Sequence, residues 1–271
     1  MLCRRIIPCL DVAEGRTVKG IKFQNLRDIG DPVQLGLEYE RQGADELMFL
    51  DISASHQGRA TMLSVVERVA ENLSIPFAVG GGVSTLEQAK KLLRCGADKI
   101  SINTAAVERP ELVHEIAQEC GSQCCMVAID ARKQGDSWTV LTHGGRKLVG
   151  LDALEWGEQV AALGAGEILL TSWDQDGTRS GFDLELTRQF ARRLSIPVIA
   201  SGGGSGPDTF VAVFEQGEAD AALAASIFHD GEWTVRALKE AILAVARGGV
   251  PRGETGVPPS ASSSVRLRYP C

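Results

Sequence analysis

Short apolar runs, many of them β-branched, alternate along this chain with longer stretches in which apolar and charged positions mix, the pattern of buried strands separated by helices. The runs fall at Ile6–Asp11, Leu47–Asp51, Phe77–Gly80, Lys99–Ile102, Cys124–Asp130, Ile168–Ser172, Val198–Ser201 and Ala221–Ala224. Asp31-Pro32, a capping carboxylate followed by proline, predicts a helix running to about Gln42. Further helices are expected over Thr61–Asn72, over Ser84–Cys95 with the serine as cap, over Leu151–Leu163, near Leu184–Arg193, near Asp208–Gln216, and over Thr234–Ala246. Eight strand-helix alternations predict an α/β chain folded as one (β/α)8 TIM barrel.

Two stretches interrupt the rhythm. Gly15–Gly30, glycine-flanked and lysine-containing, is long for a connection, and such loops are usually functional or mobile. Between Arg132 and Val149, Ser137–Thr142 with Gly144-Gly145 predicts a small extra hairpin after the fifth strand. After Gly249 the composition turns to Pro, Gly and Ser, so the barrel is expected over 1–249 and a flexible tail over 250–271.

The pattern also repeats. LSIPVIASGGG at Leu194–Gly204 nearly copies LSIPFAVGGGV at Leu73–Val83, and Pro76 and Pro197 lie 121 residues apart. Gly43-Ala44 and Gly164-Ala165, Glu46 and Glu167, and Gly96 and Gly217 keep that spacing. The chain therefore contains two similar half-barrels, neither of which closes alone.

Composition narrows the function classes. A net charge of -7 and a pI of about 5.2 argue against a long basic surface for nucleic acid, while leaving room for a local cationic pocket. No apolar run approaches the roughly 20 residues of a membrane span, and MLCRRIIPCLDV is too short and too soon charged for a signal peptide, so a cytoplasmic protein is expected. The 7 cysteines show no C-x-x-C spacing and read as reduced thiols; the 4 histidines form no ligand pattern. Neither a metal nor a cofactor is expected.

In this barrel class the chemistry sits at the carboxyl ends of the strands. Asp11 and Asp130 end strands one and five, on opposite sides of the mouth, and are candidates for an acid/base pair; each could instead cap a helix or orient a loop. Gly80-Gly81-Gly82 and Gly202-Gly203-Gly204 each precede a helix, where free N–H groups favour an anion, although tight turns without a ligand also use such glycines. Asn103-Thr104 and Ala225-Ser226 offer matching donors, and Asp176-Gly177-Thr178 lies on the same rim. Two phosphate sites across one mouth would hold a substrate with a phosphate at each end. Arg5, Glu46, Lys99 and Glu167 lie near the starts of strands one, two, four and six; their alternating signs fit a solvated rim or a ring of ion pairs closing the bore.

Taken together, RIIPCLDV, KGIKFQNLRDIGDP, ELMFLDISAS, FAVGGGV, DKISINTAAV, VAIDA, GEILLTSWDQDGT, IASGGG and ALAAS closely resemble the cyclase family of imidazole glycerol phosphate synthase, over about 1–248. The resemblance implies a carbon-nitrogen lyase of histidine biosynthesis, partnered in a heterodimer by a glutaminase (amidotransferase) subunit. With ammonia from that partner it would convert a bis-phosphorylated formimino carboxamide ribonucleotide into imidazole glycerol phosphate and aminoimidazole carboxamide ribotide. It also implies Asp11 and Asp130 as the catalytic carboxylates and Lys19 as a substrate-clasping lysine. Gly82, Asn103 and Thr104 match one phosphate site; Asp176, Gly177, Gly203 and Ser226 match the other, with Thr171 in the substrate set. Arg5, Glu46, Lys99 and Glu167 match an ammonia gate, and Asp98 a contact to the partner. The tail has no counterpart in the family and the hairpin tip at His143-Gly144-Gly145 is variable; neither is expected to touch the chemistry. The sister isomerase of the pathway, a paralogue acting on a nucleotide-linked sugar, and a non-catalytic phosphate-binding scaffold are the rival expectations.

Overall fold

A computed structural model of the chain describes residues 4–21, 24–53 and 56–247; the expected tail, 250–271, lies outside them. Eight parallel strands close into a barrel in the order β1 (Arg5–Ala13), β4 (Leu47–Asp51), β5 (Phe77–Gly80), β6 (Lys99–Ile102), β7 (Cys125–Gln134), β10 (Glu167–Ser172), β11 (Val198–Ser201), β12 (Ala221–Ala224) and back to β1. The remaining strands form two antiparallel hairpins, β2 (Arg16–Ile21) with β3 (Gln24–Gly30) and β8 (Ser137–Thr142) with β9 (Lys147–Asp152). Each hairpin continues a barrel strand that outruns its neighbours: β1 pairs onward with β2, and β7 with β8.

The second hairpin is the expected one. The first stands within the long connection read at Gly15–Gly30: Val18 pairs with Asp28 and Lys19 with Arg27 across it, and the Arg16 side chain donates to Asp28 at 2.8 Å, so cross-strand bonds tie its two strands together.

Helices cover the outside: α1 (Pro32–Arg41), α2 (His56–Asn72), α3 (Leu86–Arg94), α4 (Thr104–Glu108), α5 (Glu111–Cys120), α6 (Ala153–Ala162), α7 (Leu184–Arg193), α8 (Pro207–Glu215), α9 (Ser226–His229) and α10 (Val235–Ala246). Asp31 caps α1 as expected, accepting from Val33 at 3.0 Å and Gln34 at 3.2 Å, with Pro32 in the first turn. At α3 the cap is Thr85, which accepts from Gln88 N–H at 3.2 Å; Ser84, the expected cap, lies one residue outside. Three helices, α4, α5 and α9, stand where none was expected from the sequence pattern.

Two apolar clusters hold the barrel. The larger fills the layer between strands and helices and includes Ile6, Leu10, Phe49, Ile100, Val127, Ile168, Phe190 and Phe210. The smaller fills the bore with Ile7, Cys9, Met48, Ala78, Met126, Leu169, Ile199, Ala221 and Leu223. Period-two alternation sorts each strand between them. Along β1, Ile6 and Leu10 face the helices, while Ile7 and Cys9 belong to the bore, with Arg5 before them and Asp11 after. Along β10, Glu167, Leu169 and Thr171 repeat that order. One strand thus carries a charge at the base, an apolar plug and a polar group at the mouth, each two residues from the next or a multiple of two.

Candidate active site

Asp11 and Asp130 stand where β1 and β7 leave the barrel for their hairpins. Asp11 pairs in register with Leu50 of β4 and Val18 of β2; Asp130 pairs with Thr171 of β10 and Leu141 of β8. The two strands are four apart around the barrel, so the carboxylates occupy opposite ends of one diameter. The glycine turns after β5 and β11 are also four strands apart, each two strands from β1 and β7, on the perpendicular diameter.

The electrostatics of the pair are unusual for aspartates. Burial, and after it the neighbouring Asp176 carboxylate, pushes Asp11 up to about 7. Burial likewise raises Asp130 to about 7, opposed by a hydrogen bond from Asn103 and aided by Asp176. Asn103 Nδ2 donates to Asp130 Oδ2 at 3.0 Å, and its Oδ1 is buried with no partner among the described residues. Two acids that change protonation near neutral pH can both give and take protons. The Cys9 thiol, one alternation below Asp11, is held well above its usual range by burial and by the charges of Asp11 and Asp176.

The glycine turns are built by backbone crowding. Gly81 has φ +93°, and a Cβ there would stand 2.0 Å from the Asp51 carbonyl oxygen. In the second half Gly203, with φ +92°, would place a Cβ 2.1 Å from the carbonyl of Gly181, whose own N–H donates to Gly203 O at 2.9 Å. The turn at Gly203 is therefore closed over by the β10–α7 loop, whereas Gly82, its counterpart, faces open space.

Of the other sequence-predicted rim residues, Thr171 pairs in register with Asp130, Gly177 faces open space and Ser226 opens α9. Asp176 shares the mouth with the two acids, but its N–H is already given to Ser172 O at 2.9 Å, so its carboxylate is the group it presents electrostatically. Thr104 Oγ1 accepts from His143 N–H at 2.9 Å. The hairpin tip therefore reaches a candidate site residue, contrary to the expectation that it stands apart from the chemistry. Lys19 does not reach the acids: its ammonium is bonded to Asp230, the C-cap of α9, which also receives Arg27 at 2.8 Å and Arg179 at 2.6 Å.

At the opposite end the four charges form one ring. Arg5 bridges Glu46, at 2.7 Å, and Glu167; Lys99 bridges the same two, at 2.8 Å to each. The glutamates are buried, at 3% and 7% side-chain exposure, and the ring spans the base of the bore beneath its apolar plug. Beside it, Asp98 accepts from Phe77 N–H at 2.9 Å, as Asp45 does from Ile6 and Asp220 from Val198, so three strand-leading aspartates clamp the strands next to them.

The sequence pattern did not single out Asp230, Arg179, Arg27 or His229. His229 Nε2 lies 2.9 Å from Cys9 O and Nδ1 2.6 Å from Tyr39 Oη, and burial lowers it to about 4, so it is neutral at pH 7 and fixes the strand beneath Asp11. The available signal was the run Ala225-Ser226-Ile227-Phe228-His229-Asp230 itself, a candidate phosphate donor followed by two titratable residues. Among the described residues no group of three or more His, Cys, Asp or Glu could hold a metal ion, and no helix is long and apolar enough to cross a membrane.

Comparison with known proteins agrees with the early resemblance. A model of the histidine biosynthesis protein family matches residues 5–234. The imidazole glycerol phosphate synthase subunit HisF of Thermococcus gammatolerans is 57% identical over 251 residues, which cover 93% of this chain and 98% of that protein. The subunit of the same name from Pyrococcus furiosus is also 57% identical over 251 residues, with the same coverage. The one from Geobacillus thermodenitrificans is 58% identical over 241 residues, 88% of this chain and 96% of that protein.

Proposed function

The chain belongs to the imidazole glycerol phosphate synthase HisF family, the cyclase enzymes of histidine biosynthesis, and from that premise we propose that Asp11 and Asp130 form the acid/base pair of an ammonia-dependent ring closure. The observation that carries this reading is the crossed arrangement of the mouth. Two proton-exchanging acids lie on one diameter and two glycine turns on the perpendicular one, so a substrate held by a phosphate at each turn has its middle between the acids.

Gly82, Asn103 and Thr104 would hold one phosphate, and Gly177, Gly203 and Ser226 the other, with Thr171 lining the floor and Lys19 contacting the substrate from the rim. Thr104 can still donate its O–H while accepting from His143. Asp176 would act on the acids through its charge, beside the second phosphate site. Ammonia adds to the ribulosyl carbonyl of the bis-phosphorylated substrate and water leaves. Attack on the formimino carbon then closes the imidazole ring and expels the aminoimidazole carboxamide ribotide. Each step moves a proton onto or off a nitrogen or oxygen near the middle of the substrate, work suited to two groups poised near pH 7.

The relatives are named as a subunit, which supports a complex with a second chain. In our reading that chain is a glutaminase docked on the base near Asp98, delivering ammonia past the ring of Arg5, Glu46, Lys99 and Glu167 into the bore. A protein charge ring in front of an apolar bore suits a small neutral molecule and excludes bulk ions. The sister isomerase, which shares paired carboxylates and two phosphate sites, has no use for such a path.

The test is to incubate the purified chain with the bis-phosphorylated ribulosyl substrate and an ammonium salt at alkaline pH. Ammonium-dependent loss of substrate with release of both products is expected. Ammonium-independent turnover of the ribosyl precursor would replace this reading with the isomerase.

A further inference from the structure

Lys19 of β2 and Arg27 of β3 are direct register partners on the first hairpin. Like charges directly opposite across a strand pair repel, and past Val18, where the pairing with β1 ends, the ribbon has only its own two strands, a marginal arrangement by itself. Here both cations turn to one carboxylate from a distant part of the chain, Asp230: Lys19 on Oδ2 and Arg27 on Oδ1 at 2.8 Å. Arg179, two residues after Gly177, adds a third contact at 2.6 Å, and its other nitrogen bonds Glu232. Asp230 is thus the meeting point of three elements of the rim: the hairpin, the β10–α7 loop and the end of α9. Its carboxylate is held below the usual range, first by the bond from Lys19. A lone exposed ion pair contributes little, but three cations converging on one partly buried carboxylate form a network that is lost as a unit when the carboxylate is removed.

We propose that Asp230 is a positioning residue for Lys19, anchoring the cationic face of the hairpin to the rim so that the ammonium waits beside Arg179 for an arriving phosphate. This rests on the reading above that Lys19 contacts the substrate. Asp230 compensates the hairpin's cations and gathers them on one face of the ribbon, so a phosphate dianion would meet donors already in place, which lowers the entropic cost of binding. Asp230 touches neither the acids nor the reacting atoms, so its effect belongs in substrate capture rather than in the chemical step.

The test is steady-state kinetics with the bis-phosphorylated substrate and saturating ammonium for Asp230→Asn, Asp230→Glu, Lys19→Ala and the double variant Lys19→Ala/Asp230→Asn, with thermal melting to confirm the fold of each. Asp230→Asn, which keeps the shape and removes the charge, is expected to raise KM about tenfold with kcat within about twofold, and Asp230→Glu to recover most of the loss. In the Lys19→Ala background Asp230→Asn should add nothing, because both act through one contact. An unchanged or lowered KM in Asp230→Asn overturns the proposal, and so does a KM rise that persists without Lys19. If Lys19→Ala itself leaves KM unaltered, the reading of Lys19 falls and this inference with it; a strong Lys19→Ala effect beside a silent Asp230→Asn removes the inference alone.

Discussion

The two ends of the bore are built on the same strands and use carboxylates in opposite ways. At the base, Glu46 and Glu167 are each spanned by both Arg5 and Lys99, so every charge in the ring has two partners of opposite sign. At the mouth, burial and then the nearby Asp176 carboxylate push Asp11 and Asp130 up to about 7. Along β1 the two regimes are three alternations apart, Arg5 and Asp11, with Ile7 and Cys9 between them. Depth alone does not separate them, since the base glutamates are well buried too. Burial pushes the mouth acids up and Asp176 adds to it, whereas at the base each buried glutamate is met by two cations.

The largest effect expected from breaking this contrast is at the mouth. Asp11→Asn or Asp130→Asn should lower turnover by about 10²- to 10⁴-fold, a barrier rise of about 3 to 5 kcal/mol, with substrate binding much less affected. The same variants should report the electrostatic strain. An aspartate at about 7 in the folded chain against about 4 unfolded binds more proton when folded, so stability falls as pH rises from 4 to 7 and stays lower above. At about 1.36 kcal/mol per unit, each group can cost up to about 4 kcal/mol at pH 8. Asp130→Asn removes that cost and should melt higher than the parent at pH 8 and close to it at pH 4. A variant that melts lower at pH 8 would show that the mouth carboxylates are compensated like those of the base.

How much of this was legible in the sequence follows from how local each feature is. The eight strands, the half-repeat and the second hairpin are written in short apolar runs and glycines, and they emerged with boundaries close to those observed. Four charges at strand starts leave a solvated rim and a ring of ion pairs both open; the family resemblance points to the ring, and the fold shows the four side chains paired. The first hairpin is hidden in the sequence because its strands, RTVKGI and QNLRDIG, are largely polar and lack the apolar runs that mark the barrel strands, although they pair locally; their ties to Asp230, some 200 positions later, have no local signal at all. Thr85 displaced Ser84 as a cap because both are good caps, and only the backbone conformation one residue along selects between them. His229 and Asp230 are marked only by following the candidate donor Ser226 in one short run, and only the folded rim shows what they hold.

The base offers the next largest expected effect. Lys99→Met leaves two buried glutamates facing one arginine, and removing one partner of a buried ion network typically costs about 3 kcal/mol or more. Denaturant unfolding should show that loss. The uncompensated carboxylates should also raise the barrier to anything crossing the base, so glutamine-coupled turnover should fall further than turnover with free ammonium. Equal loss of both activities would leave the ring as a structural brace and nothing more.

Asp98 sharpens the contrast with the smallest effect, because it combines the two uses of a base carboxylate. Its Oδ2 accepts the Phe77 N–H at 2.9 Å, a fold duty it shares with Asp45 and Asp220, while its exposure at the base leaves its charge readable by a docked subunit. Asparagine keeps an acceptor oxygen in place and discards the charge, whereas alanine discards both. Asp98→Ala should therefore cost about 1 kcal/mol of stability, the usual worth of such a bond, and Asp98→Asn only a few tenths. Affinity for the proposed glutaminase partner, measured by titration calorimetry, should fall alike in both if that partner reads the charge. Should the asparagine variant bind as tightly as the parent, Asp98 belongs wholly to the clamp on β5, and the partner's contact with the base lies among other residues.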